Sequence, residues 1–330
     1  MRVLFVGGTG NLSLDSTRRA LAEGIEVYHL NRGSRPGAVP PGVVSLNADI
    51  RDEAAAARAL GGLRFDAVVD FIAYLPAHVE ADLRLFAGRA AQYVFISSAS
   101  AYRKPPVHHV IAESTPLANP FWQYSRDKIA CEALLGEKAA GAGLAVTIVR
   151  PSHTYGVGWI PTPFGSSDFT IARRMLDGRE IVVHGDGQSL WTLTHARDFA
   201  VGLVGLLGNP AAYGEAVQIT GDEALTWDSI HRTIAASLGV EPRIVHVPSD
   251  FIAAVDPEMG SHFLGDKTYS AIFDCSKLKR LVPAFATTVP FHAGIRESVE
   301  WYLQDPGRQR INPSVDACMD RILAAWKGAA

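Results

Sequence analysis

Tyr124 and Lys128 stand four residues apart in Tyr124-Ser125-Arg126-Asp127-Lys128, inside a stretch with helical spacing. On a helix that interval puts both side chains on one face, a turn apart. A tyrosine alone is a poor base at neutrality, because its phenol ordinarily titrates at about 10. A lysine ammonium one turn away favours the phenolate. Ser98, closing an apolar strand, could hydrogen-bond the oxygen that such a phenol would deprotonate. Tyr-xxx-Lys is common by chance, and its bland reading is a half-buried tyrosine beside a surface lysine. The order of features along the chain carries more: a glycine loop, then a serine cluster at a strand end, then Tyr-xxx-Lys.

The glycine loop is Gly7-Gly8-Thr9-Gly10-Asn11-Leu12-Ser13, directly between the first apolar strand and the first helical stretch. Gly7 permits a tight turn, and Gly10 lets the backbone approach a pyrophosphate. The following helix N-terminus turns unpaired N–H groups and a positive dipole end towards the anion. Ser13 takes the third small position. The context is that of a dinucleotide site; the alternative is an ordinary glycine-rich turn. The second strand ends at Leu30-Asn31-Arg32-Gly33, where an acid would bind a ribose 2′-hydroxyl, and none is present. Arg32 and Arg35 could meet a 2′-phosphate instead, or be solvated loop arginines, so NAD and NADP both stay open. Asp49 could accept from an adenine amino group, or serve as a helix N-terminal acid.

The elements that must position these residues alternate. Strands are predicted at Val3–Val6, Glu26–Leu30, Val43–Leu46, Asp66–Phe71, Gln92–Ser97 and Ala145–Val149. Helical stretches lie between them, at Asn11–Glu23, Ala54–Leu60, Val79–Arg89 and about 121–136. Apolar strands alternating with helices imply a parallel sheet covered on both faces. After Arg150-Pro151 the rhythm breaks, and residues 159–168 read as a long loop. The expected architecture is therefore α/β: a Rossmann-type doubly wound parallel sheet with a smaller C-terminal substrate lobe. Residues 1–155 form the dinucleotide-binding part, with segments near 195–220 returning to it, and 156–330 are mainly lobe.

Composition agrees with a folded enzyme-sized chain. Its 330 residues are 48% hydrophobic and 20% charged, which excludes disorder as the main state. The net charge of −3 argues against a protein built to coat nucleic acid. No apolar run reaches the length of a membrane span, and the N-terminus reaches glycine too soon for a signal peptide. Cys131, Cys275 and Cys318 lie far apart, so neither a disulfide framework nor a cysteine zinc site is expected, and a cytoplasmic setting fits. The doublet His108-His109 has no third ligand at a recognisable spacing, and no metal is expected.

With these motifs in place the sequence resembles the extended short-chain dehydrogenase/reductase family, the NAD-dependent epimerase/dehydratase group. The resemblance covers nearly the whole chain. It rests on Gly7–Ser13, Asn47-Ala48-Asp49, Val94–Tyr102, Tyr124-xxx-Lys128, Arg150–Gly156, Gly185-Asp186-Gly187, Thr194–Asp198 and Phe273–Lys277. Asn31-Arg32-Gly33 and Phe273–Lys277 also look like the chloroplast stem-loop-binding proteins, a branch of the same fold. The resemblance implies that Tyr124 is the general base or acid. It makes Lys128 the residue that binds the nicotinamide ribose and lowers the Tyr124 pKa. Ser98 would orient the reacting hydroxyl, its register fixed by Tyr102. Gly7, Thr9, Gly10, Asn11, Leu12, Asn31, Arg32, Asp49 and Ile50 would hold NAD or NADP, with Phe71, Ala73 and Pro151 lining the cofactor.

The departures narrow the substrate. Ala99 and Ser100 replace the Asp-Glu pair of the sugar-nucleotide dehydratases, which favours epimerase over dehydratase; Ser100 is expected on the substrate. Trp191 falls where sugar-nucleotide epimerases carry a diphosphate-gripping arginine. It could stack on a base or sugar face, or pack as a core tryptophan. His153 replaces an asparagine and could donate to a substrate oxygen, or be a satisfied structural histidine. Arg173 and Arg174 could replace the lost arginine, or form a solvated helix face. The leading expectation is an NAD(P)-dependent epimerase acting on a secondary hydroxyl of a sugar, sugar nucleotide or nucleoside through a transient ketone. Net oxidation or reduction of a similar alcohol is the close second. A non-catalytic dinucleotide- or RNA-binding module is the competing class. The expected partner is a small-molecule sugar or nucleoside; no nucleic acid or membrane is expected, and a homodimer is left open.

Overall fold

A computed structural model describes residues 1–165 and 167–329; residue 166, inside the predicted long loop, lies outside it. The first half runs β1 (Arg2–Val6), α1 (Asn11–Ala22), β2 (Glu26–Asn31), β3 (Val44–Asn47), α2 (Glu53–Leu60), β4 (Phe65–Asp70), α3 (Pro76–Phe86), β5 (Ala90–Ile96), β6 (Val110–Ile111), α4 (Gln123–Lys138) and β7 (Ala145–Pro151). The second half follows with β8 (His153–Tyr155), α5 (Thr170–Leu176), β9 (Glu180–His184), β10 (Leu190–His195), α6 (Ala196–Leu206), β11 (Ala216–Ile219), β12 (Ala224–Thr226), α7 (Trp227–Leu238) and β13 (Arg243–Val247). It ends with α8 (Ser249–Val255), α9 (Pro257–His262), β14 (Ile272–Phe273), α10 (Ser276–Leu281), α11 (Phe291–Leu303) and α12 (Pro313–Ala329).

Seven strands form one parallel sheet in the order β11-β7-β5-β4-β1-β2-β3. The sheet has helices on both faces and an apolar core on each. Val3, Phe5, Val69, Val94 and Val217 point to one core, and Leu4, Val6, Val68, Phe95 and Leu30 to the other. Apart from the largely exposed edge strand β3, the strands bury most of their residues on both faces, which is why these segments read as apolar runs. The strand order reverses beside β1, with β4 on one side and β2 on the other. In open α/β sheets such a switch point, at the carboxyl ends of the strands, is where ligands bind.

Several element boundaries shift by a few residues from expectation. α3 begins at Pro76 rather than Val79, because a proline in the first turn presets the helical backbone and its missing N–H is not needed there. Beyond Pro151 the chain leaves the main sheet. β8 pairs in parallel with β10, and β10 pairs antiparallel with β12, giving a separate small sheet. A third apolar core gathers Phe169, Trp191, Trp227, Phe263, Ile295 and Ile322 there. Segment 263–267 is a π-helical turn continuing α9, a form that often marks functional sites.

Candidate active site

The loop after β1 is held by its own chain. Gly7 adopts φ +82° and donates to Leu30 O at 3.2 Å, which sets the tight turn. Gly8 N–H donates to Asn31 Oδ1 at 3.0 Å. Gly10 N–H donates to Ser13 Oγ at 2.8 Å, and Ser13 Oγ donates to Gly7 O at 2.7 Å. The third small position is thus more than a tolerated hydroxymethyl, since Ser13 ties both ends of the turn together. A β-carbon on Gly8 would lie 2.5 Å from His29 Cγ. His29 is wholly buried, hydrogen-bonded to Thr17, and burial pulls its pKa down to about 4.

In front of this loop opens a cleft of about 790 Å³. Gly7, Thr9, Gly10, Asn31, Arg32, Asp49 and Ile50, all expected at the cofactor, lie on its wall. Arg35, Arg51 and Tyr74 join them there. The glycine cradle, the helix N-terminus behind it and a cleft of this size fit a dinucleotide. The remaining residues of that set sit elsewhere. Asn11 donates to Thr154 O at 2.9 Å, and Leu12 packs against a sheet core. Phe71 packs edge-on against Phe5, Pro151 is buried, and Ala73 is wholly buried with its carbonyl turned to Lys128.

Tyr124 and Lys128 share a face of α4, as their spacing predicts. Lys128 is 1% exposed, and its Nζ donates to Ala73 O and Ile96 O, both at 2.7 Å. Those carbonyls follow β4 and end β5, so the ammonium is fixed to the sheet at its carboxyl edge. It lies 5.8 Å from the Tyr124 ring centroid and 4.9 Å from that of Tyr74. Burial lowers the Lys128 pKa to about 8, which leaves it charged at neutrality. Burial and the neighbouring Tyr74 push the Tyr124 phenol up, against the pull of the Ser98 hydroxyl. Tyr124 in this state holds its proton near pH 7. Ser98 Oγ is 2.9 Å from Ser100 Oγ, which accepts from Ser125 Oγ at 2.8 Å. The three hydroxyls form a chain from the end of β5 to α4.

Asn119, which the sequence reading did not single out, organises this corner. Its Oδ1 accepts from Phe121 N and Trp122 N, opening α4, and its Nδ2 donates to Ser100 O at 2.9 Å and Gly265 O at 2.7 Å. One side chain therefore joins the serine turn, the Tyr124 helix and the π-helical turn. That turn carries Asp266 and Lys267, also missed. Lys267 Nζ pairs with Asp266 at 2.6 Å, and the buried Lys104 Nζ lies 4.0 Å from the same carboxylate. Nothing local in the sequence marks them, because Lys104 and Asp266 meet only through the fold.

Trp191 is 3% exposed and packs on Trp227 with centroids 5.3 Å apart. It belongs to the lobe core, with Lys267 Nζ 4.5 Å above its ring. The expected stacking on a base or sugar would need a face that these neighbours occupy, so the core reading describes its surroundings. Burial keeps His153 neutral. Arg174 is not a solvated residue: it is 2% exposed and pairs with Asp316 at 2.6 Å and Asp320 at 2.9 Å. His108 and His109 are exposed and stacked on each other. Among the described residues no group of three His, Cys, Asp or Glu side chains is placed to hold a metal, and no helix is long and apolar enough to cross a membrane.

Comparison with known proteins gives a consistent picture. A model of the NAD dependent epimerase/dehydratase family matches residues 3–220. The 2′-dehydrokanamycin reductase of Streptomyces kanamyceticus is 28% identical over 286 residues, spanning 86% of this chain and 80% of that protein. The chloroplast stem-loop binding protein of 41 kDa b from Arabidopsis thaliana is 28% identical over 265 residues, 76% of this chain and 67% of its own. Among solved structures, the epimerase Mth375 of Methanothermobacter thermautotrophicus superposes with a TM-score of 0.76 at 17% identity, covering 93% of both chains. The UDP-glucuronic acid 4-epimerase of Bacillus cereus, solved with NAD, gives 0.74 at 17% identity over 92% of this chain and 99% of its own.

Proposed function

We propose, from the premise that the chain belongs to the NAD dependent epimerase/dehydratase family, that it interconverts a secondary alcohol and its ketone on a sugar- or nucleoside-like substrate, as an epimerase. The observation that carries this reading is the Ser98–Tyr124–Lys128 arrangement at the carboxyl edge of the sheet, beside the dinucleotide cleft. A binding module has no need of a buried lysine held by two carbonyls next to a phenol.

When bound, a nicotinamide ring supplies a two-electron acceptor or donor for the carbinol hydrogen. The chain supplies the proton chemistry. Once the phenol has released its own proton to solvent, the Tyr124 phenolate oxygen takes the hydroxyl proton as the carbonyl forms, and the phenol so regenerated returns that proton to the oxygen when the ketone is reduced. Ser98 Oγ holds the same oxygen, with its own hydroxyl oriented by Ser100. Lys128 keeps a positive charge near the phenol, which lowers the barrier to removing its proton. Gly7, Thr9, Gly10 and the start of α1 would hold the pyrophosphate, and Asp49 and Ile50 the adenine side of the cleft.

A second reading, net reduction of a ketone, is favoured by the span of the match to 2′-dehydrokanamycin reductase, most of both chains. A Tyr124 that holds its proton suits it, since a phenol must donate when a ketone is reduced. The two readings part on one measurement. The protein is denatured and any released dinucleotide identified and counted. A near-stoichiometric dinucleotide supports the epimerase, which must keep its cofactor between half-reactions. A cofactor-free protein that oxidises NADH or NADPH with sugar ketones supports the reductase. Protein that neither retains nor binds a dinucleotide refutes both.

A further inference from the structure

We infer that Asp70 and Asp82 share a single proton beneath the active site, and that the pair positions Lys128 through the turn between β4 and α3. The inference rests on the role proposed above for Lys128 and deepens it. Both aspartates are wholly buried, Asp70 at the end of β4 and Asp82 on α3. Asp70 Oδ1 accepts from Ile72 N–H at 2.5 Å and from Ala73 N–H at 2.8 Å. Asp82 Oδ2 accepts from the Tyr93 hydroxyl at 2.7 Å. One oxygen is left over on each, Asp70 Oδ2 and Asp82 Oδ1, and neither has a donor among the described residues. The two carboxyls are within hydrogen-bonding reach of each other. If both were ionised, two bare acceptors would meet in the core at the full cost of unpaired buried charge. One proton satisfies both atoms, because a protonated carboxyl donates while its partner accepts.

The surroundings fit one proton and one negative charge. Lys128 and Cys131 approach from α4, Tyr93 from β5 and Arg51 from the chain before α2, while Tyr74 and His78 stand on the turn and α3. The two cations among them grip the same turn: Arg51 Nη2 donates to Ile72 O at 2.6 Å, and Lys128 Nζ to Ala73 O at 2.7 Å. Burial and the neighbouring Asp70 hold the Asp82 carboxyl well above the usual carboxylate range. That is the general result when two carboxylates occupy one site, and the proton belongs to the pair. The pair acts on Lys128 in two ways. Its bonds to Ile72 and Ala73 N–H fix the turn that presents the Ala73 carbonyl to the ammonium. Its charge helps to keep that ammonium protonated, since Cys131, Asp70 and Glu132 all work against the effect of burial on Lys128. The turn also touches the glycine loop, where a β-carbon on Gly7 would lie 2.7 Å from Ile72 Cγ2.

The test is NMR on the full chain with isotope-labelled aspartate carboxyl carbons and lysine side-chain nitrogens. It needs no substrate. In wild type one aspartate carboxyl should remain protonated at neutral pH, and its signal should vanish in Asp82→Asn. Asparagine at that place donates to Asp70 Oδ2 and accepts from Tyr93, as the protonated acid does, so the Lys128 titration midpoint should match wild type. Asp70→Asn keeps the acceptor for Ile72 and Ala73 but takes the charge from the turn. Its Lys128 midpoint should fall by about one unit, the low end of what a neighbouring opposite charge supplies. Asp82→Ala leaves Asp70 Oδ2 without its donor and should blur the Lys128 ammonium resonance in a protein that circular dichroism shows to be folded. Where Asp82→Ala does not fold, the two asparagine variants decide the matter. The proposal is overturned if no aspartate carboxyl is protonated at neutral pH, if Asp82→Asn displaces the Lys128 midpoint as Asp70→Asn does, or if Asp70→Asn leaves that midpoint in place. Failure of the wild type to turn over any alcohol or ketone would count against the proposed function alone, because these resonances are read without turnover.

Discussion

Glu132→Gln isolates the contact that fixes the catalytic helix to the sheet. Arg150 at the end of β7 grips Glu132 on α4 with both ends of its fork, Nη2 to Oε2 at 2.6 Å and Nε to Oε1 at 3.0 Å. The side chains are 6% and 5% exposed. Ser97 Oγ, next to Ser98, donates to the same Oε1. The guanidinium also lies 4.9 Å from the Tyr102 ring centroid. One carboxylate therefore locks α4, β7 and the serine turn to each other, one turn along the helix from Lys128. The glutamine keeps the volume and removes the charge, leaving a buried guanidinium without a counter-ion. Breaking a buried pair from one side costs about 3–5 kcal/mol. With a urea slope of about 3 kcal/mol/M, the unfolding midpoint should fall by about 1–1.7 M. Tryptophan fluorescence and far-UV circular dichroism should be followed together, because coincident curves establish that one transition is being measured. The Glu132→Leu/Arg150→Met double variant removes both charges and should be less destabilised than Glu132→Gln. A Glu132→Gln protein within about 1 kcal/mol of wild type, or a double variant as weak as the sum of its singles, would refute the argument.

Three further outcomes follow from the site. Tyr124→Phe should lower turnover by about 10²–10⁴-fold and leave dinucleotide affinity unchanged, measured by steady-state kinetics and calorimetry on one preparation. The Lys128 ammonium, with its pKa lowered to about 8 by burial, is present below that pH and lost above it, so the wild-type rate should fall as pH rises through about 8. Lys128→Arg should carry the rate to higher pH and Lys128→Met should be slow throughout, whereas identical profiles for wild type and Lys128→Arg would show that this ammonium does not set the limb. Trp191→Arg should melt lower than wild type and gain no affinity for UDP, because the new cation would be buried beside Lys267; a stable variant that binds UDP more tightly would reverse that conclusion.

The parts of the molecule legible in the sequence are those where local chemistry and fold agree. β1 and the glycine turn are adjacent in the chain, so the loop at Gly7–Gly10 declares its own context. Tyr124 and Lys128 need only helical periodicity to meet, and α4 provides it. The alternation of buried strands with helices needs only the apolar runs. What was not legible depends on pairing between distant residues. β8 follows β7 after a single residue, yet it joins β10 rather than the main sheet, and no local signal at Ser152 announces the change of partner. Asn119 reads as a loop asparagine until its amide is seen joining Ser100 to Gly265. Arg174 reads as a helix-surface charge until α12 brings Asp316 and Asp320 to it.

Trp191 shows how a departure read at one position can be answered at another. Taken along the sequence, a tryptophan in place of a phosphate-gripping arginine removes a cation from the lobe, and with it the argument for an anionic substrate. In three dimensions Lys267 returns a cation to the same place, its Nζ 4.5 Å above the indole. An indole face attracts an ammonium through its quadrupole, so the ring favours Lys267 in this position. Lys104 and Asp266 complete the group, and the two lysines against one carboxylate leave a net positive charge. The cation beside this position thus stands on the π-helical turn rather than on β10, and a lysine is a point charge without the planar two-toothed grip of an arginine. A lysine still attracts an anion but does not impose the bidentate geometry that matches a diphosphate.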